Sequence, residues 1–150
     1  MGKNNKIQTP ELMEEFERAC RSKGLRVTHQ RLEIFREFAD CSDHPTVENV
    51  FNRIRKRLKT ISMDTVYRTI STFEKYGLIK RVNFLDNSTR FDINLSVHHH
   101  IVCSRCNNIE DFYWSDFDQM KPPKTISHWG QLEVKQVIIS GLCSNCKKKK

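Results

Sequence analysis

Four stretches with apolar residues at three- and four-residue spacing, two shorter stretches of period two after them, and a pair of Cys-x-x-Cys motifs predict a mixed α/β (α+β) chain. The expected architecture is an N-terminal winged helix-turn-helix over residues 1–93, followed over residues 94–150 by a small α/β unit with a four-cysteine zinc site. A length of 150 residues suits one domain or two small ones that share an interface. Each half is small enough to gain from a metal staple.

Thr9 followed by Pro10 is a helix start, and Leu12, Phe16 and Ala19 or Cys20 give the apolar spacing of the first helix up to Gly24. Thr28 caps a second helix that carries Leu32, Phe35, Phe38 and Ala39 on one face. Thr46 caps a third, expected over residues 46–59, with Val47, Val50, Phe51, Ile54 and Leu58 inward and Arg53, Arg55, Lys56, Arg57 and Lys59 outward. A fourth begins at Ser62. Met63, Val66, Ile70 and Phe73 would face its core, and Thr65, Arg68, Thr69 and Thr72 would face away.

After Gly77 the period changes to two, so Leu78–Phe84 and Thr89–Ile93 read as a hairpin joined by the turn LDNS. Three strands are expected in the second part, at His99–Cys103, Ile109–Trp114 and Leu132–Ser140. Pro122 and Pro123 leave only a broken or very short helix in the last connection. The closing KKKK reads as a disordered tail.

Charge is unevenly placed. Before His98 there are 18 Lys and Arg against 13 Asp and Glu, and between Arg53 and Arg81 nine basic residues face two acidic ones. A basic helix-turn-helix points to double-stranded nucleic acid, with the fourth helix in the major groove. Arg68 is the best placed for base readout, because its fork pairs with guanine in two places. Ser62, Thr65 and Tyr67 are candidate contacts to backbone or to thymine methyls, and Arg26 is a further candidate DNA contact. The alternative is a solvated basic helix on a winged helix that binds protein. No apolar run approaches membrane-spanning length, the first residues lack the apolar core of a signal peptide, and Lys6 spoils a myristoylation match. A soluble cytoplasmic protein is expected, with no membrane partner.

In a reducing compartment, paired Cys-x-x-Cys motifs read first as metal ligands. Cys103 and Cys106 with Cys143 and Cys146 make a soft, closed thiolate set suited to structural zinc. An iron-sulfur cluster or a redox dithiol is the alternative; Cys20 and Cys41 stand apart as small core or surface residues. The 36 residues between the pairs mean that this cage ties the chain end back to the first strand of its domain. Beside it lies a harder set, Asp92, His98, His100 and Asp111. His98 and His100 share one face of a strand, His99 takes the other, and Asp111 on the next strand can lie across from the pair. His44, ahead of the third helix, and Asp92, at the end of the wing, read either as ligands or as ordinary loop and turn residues.

The runs HPT at 44–46, DTVYRT at 64–69, RFD at 90–92, HHHIVCSRC at 98–106 and the closing GLCSNC resemble the ferric uptake regulator family, in order and over nearly the whole chain. The resemblance is strongest to its peroxide-responsive repressors. It implies a regulatory Fe(2+) or Mn(2+) held by His44, Asp92, His98, His100 and Asp111, with the zinc site in a domain that forms a homodimer on a palindromic operator. Two Asp where iron-sensing members more often have Glu tip the choice toward peroxide. The same resemblance implies that His44 and His98 are the rings that peroxide oxidises on the iron form. A second regulatory site, which many relatives build from the middle His of the triplet and a His in the last strand, is not expected, since Lys135 and Gln136 stand there. The rivals are an iron-responsive repressor, a metal hydrolase and a purely structural zinc protein. A hydrolase needs a positioned base besides an open metal, and the set has no spare carboxylate nearby, so no enzyme is expected.

Overall fold

The structure, a computed structural model, describes residues 9–41, 43–84 and 88–149. The chain splits into two compact units, Met1–Leu95 and Ser96–Lys150. Residues 1–8, Ser42, residues 85–87, on which the expected LDNS turn falls, and the last lysine lie outside the described residues.

The first unit holds α1 (Thr9–Ser22), α2 (His29–Ala39), α3 (Val47–Ile54), α4 (Met63–Lys75) and a hairpin of β1 (Lys80–Asn83) with β2 (Thr89–Asp92). The expected caps form: the side chains of Thr28, Thr46 and Ser62 accept from the backbone N–H three residues on, which satisfies donors that a helix start leaves open. Asn49 closes a reciprocal capping box on Thr46. Gly77, at φ +63°, ends α4 in the left-handed region that glycine enters without steric cost. Phe16, Phe35 and Phe73 stack and cross at the centre, with Ile34, Val50, Ile54, Val66 and Ile70 sealed around them. In the wing, Lys80 pairs with Asp92 and Val82 with Arg90.

Three expectations change in this unit. The third helix stops at Ile54 rather than near Lys59, because the chain turns to bring Leu58 and Ile61 back onto the core and Arg57 onto α2. Glu33 and Glu37 of α2 are buried, and Arg57 pairs with both. On α4 the buried stripe is Val66, Thr69, Ile70 and Phe73, itself a three- and four-residue pattern. Met63 is therefore 39% exposed, and Thr69 is turned inward.

The second unit holds β3 (His99–Cys103), β4 (Ile109–Phe112), α5 (Ser115–Gln119), a 3-10 turn (Lys124–Trp129), β5 (Ile138–Gly141) and α6 (Ser144–Lys148). Its sheet runs β4-β3-β5, with β3 antiparallel to β4 and parallel to β5. The last strand was expected from Leu132 but pairs only from Ile138. In the parallel register His100 meets Ile138, so residues before Val137 would face chain that precedes the start of β3 and find no ladder there. Lys135 is drawn instead to the end of α5, where its ammonium donates to the carbonyls of Phe117, Asp118 and Met120 and lies 4.8 Å from the Phe117 ring centre. Lys147 and Lys148, expected in a disordered tail, are helical. Arg105 holds that end by donating to the carbonyls of Cys146 at 2.8 Å and Lys149 at 2.7 Å.

Candidate functional site

In the second unit, the four cysteine sulfurs lie within 4.8 Å of one another. Two come from the knuckle after β3, and two from the start of α6. Cys106 and Cys143 are 3.8 Å apart, which is the edge of a tetrahedron built on zinc-sulfur bonds of about 2.3 Å. The residues fit zinc. Backbone N–H groups, that of Cys143 first and then those of Cys106 and Arg105, hold the Cys103 thiol down to about 6. Hydrogen bonding to Cys106 and Cys143 pushes the Cys146 thiol up. Without metal the cluster thus keeps protons that a cation must expel.

His98, His100 and Asp111 form a second constellation in the same unit. His100 pairs directly with Asp111 across the β3–β4 ladder, and His98 precedes it by two residues on the same face. The two Nε2 atoms are 3.2 Å apart, and Asp111 places one carboxylate oxygen 3.6 Å from His98 and the other 3.5 Å from His100. Neighbouring ligands around a first-row divalent ion stand about 3 Å apart, so this triangle is sized for one cation. Both imidazoles are buried. His98 donates from Nδ1 to the Ser96 carbonyl at 2.9 Å, which leaves Nε2 as the bare, ligating nitrogen. His100 meets the Gln136 side-chain amide at 3.1 Å through Nδ1. The ligating tautomer of His100 carries its proton on that Nδ1, so it calls for Gln136 to present its amide oxygen.

The first unit brings His44 and Asp92 together, with Nε2 to Oδ2 at 3.5 Å and both side chains buried. His44 lies in the left-handed region at φ 48° just ahead of Pro45, a conformation that costs a non-glycine residue free energy and is kept where the surroundings enforce it. Arg90 donates to its carbonyl at 3.4 Å, and the Phe84 ring crosses its imidazole at 6.0 Å. Asp92 accepts from the backbone of Asn94 at 2.7 Å, and the ammonium of Lys80 stands 3.8 Å from its other oxygen.

His99 is fully buried on the opposite face from His98 and His100. It accepts from the Val137 N–H through Nδ1 at 3.2 Å and faces Asp118 at 3.2 Å through Nε2. The sequence does not point to Asp118 as its companion. Asp118 sits on the short α5 beyond the sheet, and no spacing rule connects it to β3.

On α4, Tyr67 and Arg68 are exposed, as the nucleic-acid reading requires. Arg68 is folded back onto Asp64 at 2.9 Å. Ser62 and Thr65 are engaged with each other in the helix cap, at 2.8 Å between hydroxyls. Arg26 is exposed in the loop before α2.

The sequence matches the ferric uptake regulator family over residues 22–139. It is 31% identical to the peroxide-responsive repressor PerR of Staphylococcus epidermidis, over 90% of each chain. Among solved structures, it is similar to a zinc-bound manganese uptake regulator at 28% identity and TM-score 0.70, covering 85% of this chain and 98% of that one. The iron-bearing ferric uptake regulator of Francisella tularensis is similar at 28% identity and TM-score 0.69, with 83% and 96% covered.

Proposed function

The chain belongs to the ferric uptake regulator family, and from that premise we propose that this metal-responsive repressor senses hydrogen peroxide. The proposed regulatory set is His44 and Asp92 from the first unit with His98, His100 and Asp111 from the second, taking Fe(2+) or Mn(2+), while Cys103, Cys106, Cys143 and Cys146 hold zinc. The observation that carries the reading is the pair of all-Asp half-sets: the triangle of His98, His100 and Asp111 in one unit, and His44 beside Asp92 in the other. Relatives that are themselves peroxide-responsive repressors support it.

Each half-set is too small to hold a divalent ion tightly, so one cation bound by both would fasten the two units to each other. Moving such an equilibrium from 1:99 to 99:1 requires about 5.5 kcal/mol of differential binding. That is small beside the about 10 kcal/mol or more with which structural zinc sites bind. Bound iron supplies reduction of peroxide next to the ligand rings. His44 and His98 take up the oxygen, ligate poorly afterwards and release the clamp. DNA binding rests on Arg68, Tyr67, Thr65, Ser62 and Arg26, with Arg68 leaving Asp64 to reach a base.

The active form is proposed to be a homodimer on a palindromic operator. Leu132–Val137 is a strand sequence without a ladder in its own unit, and Val134 (84%) and Trp129 (76%) are among the large apolar side chains that the second unit exposes. A second copy would cover them.

Gel shifts on a palindromic A·T-rich duplex test the whole reading. Apo protein should bind weakly, and the Mn(2+) and Fe(2+) forms tightly. Low peroxide should release only the Fe(2+) form, with about 16 Da added to peptides that hold His44 or His98. Unmodified peptides with DNA binding intact would leave the iron-responsive repressor as the better reading.

A further inference from the structure

The antiparallel register sets His100 opposite Asp111 and His99 opposite Phe112, where the ladder ends, and His98 and Tyr113 are the next residue of each chain segment beyond it. Tyr113 is on the same face as Asp111, two residues on. Its ring centre is 6.1 Å from that of His98, and 57% of the residue is exposed. The face thus presents two imidazoles, one carboxylate and one phenol. Phenol is the most easily oxidised ring of the group, and it is not among the expected ligands. Trp114, the next residue, alternates to the other side and lies against Phe117 at 5.6 Å.

We propose that Tyr113 is a second oxygen acceptor beside His98, a modification site that competes with the ligand ring for peroxide. The inference rests on the iron-bearing reading above. In the step proposed, the O–O bond of hydrogen peroxide breaks and one oxygen enters a ring C–H to give a catechol. The other oxygen leaves as water; the ring loses two electrons and peroxide gains them. An oxidant formed beside His98 acts at contact range, so it meets Tyr113 before any other tyrosine. Every equivalent spent there spares the imidazole, which makes Tyr113 a setting for how much peroxide the switch requires.

The test uses the full chain loaded with Fe(2+) or with Mn(2+), treated without air with one equivalent of peroxide, digested and mapped by tandem mass spectrometry. The expected result is oxygen on Tyr113 and on His98 with iron, none on either with manganese, and none on Tyr67 or Tyr76. In Tyr113→Phe the same insertion should restore the native tyrosine mass at position 113. In Tyr113→Leu, with Mn(2+) stoichiometry unchanged, the fraction of His98 carrying oxygen should rise. Oxygen on His98 with none on Tyr113 overturns the proposal and leaves the sensing reading standing. Oxygen on none of Tyr113, His98 and His44 overturns both.

Discussion

Two side chains outside the proposed ligand sets stand against them, and their expected effects run in opposite directions. Gln136 orients His100 from β5's approach, as second partners of metal-binding histidines commonly do, so Gln136→Ala should weaken Mn(2+) binding about tenfold or more. Lys80 places an ammonium 3.8 Å from the Asp92 oxygen that faces His44, so a divalent ion arriving there meets a like charge. Lys80→Met should tighten Mn(2+) binding by about three- to tenfold, a fraction of the full Coulomb term because the side chain is partly solvated. Metal titrations followed by calorimetry read both. Equal affinities for the two variants and the parent would remove these residues from the account. Neither role was legible in the sequence. A glutamine in the last strand signalled only the lack of a histidine, and Lys80 becomes relevant only once the wing register pairs it with Asp92.

At the scale of elements, what could be read from residue order was what local chemistry decides. Caps at Thr28, Thr46 and Ser62, the strand His99–Cys103 and the same-face pairing of His98 with His100 follow from side-chain oxygens and a period of two, and they form as expected. What long-range partners decide could not be read. The third helix ends early because Arg57 is claimed by Glu33 and Glu37, and the fifth strand shortens because β3 begins late. A buried carboxylate pair on α2 looks, in sequence, like ordinary surface acid. Arg57 is half exposed, so its ion pairs are partly screened, yet removing it strands two buried charges. Arg57→Met should lower the stability of the first unit by about 1–3 kcal/mol, and adding Glu37→Gln should recover part of that loss. Urea unfolding measures both, and a double variant no more stable than the single one would show that Arg57 acts through packing alone.

At the scale of the molecule, the two units are held together internally by different means. The first has a phenylalanine-centred core of apolar side chains. In the second, the buried side chains among the described residues are His98, His99, His100, Cys103, Ile109 and Cys146, so only Ile109 is an aliphatic one. A unit of that kind cannot cover the conformational entropy of folding by apolar burial, and metal binding becomes part of its folding free energy. Chelation of zinc should therefore unfold the second unit and leave the first one folded. In a heteronuclear NMR spectrum, resonances of Ile101, Val102 and Ile109 should collapse to the unfolded range while those of Ile34, Val66 and Phe73 stay dispersed. The effect has a pH sign. Thiolates bind zinc and thiols do not, and the backbone N–H groups that hold the Cys103 thiol down to about 6 keep it a thiolate until the pH falls through that range. Zinc should then be held at neutral pH and lost progressively as the solution is brought to pH 6 and below, with the second unit's resonances collapsing in step. Loss of dispersion in both units together, or in neither, would mean that the zinc cage does not carry the second unit's fold.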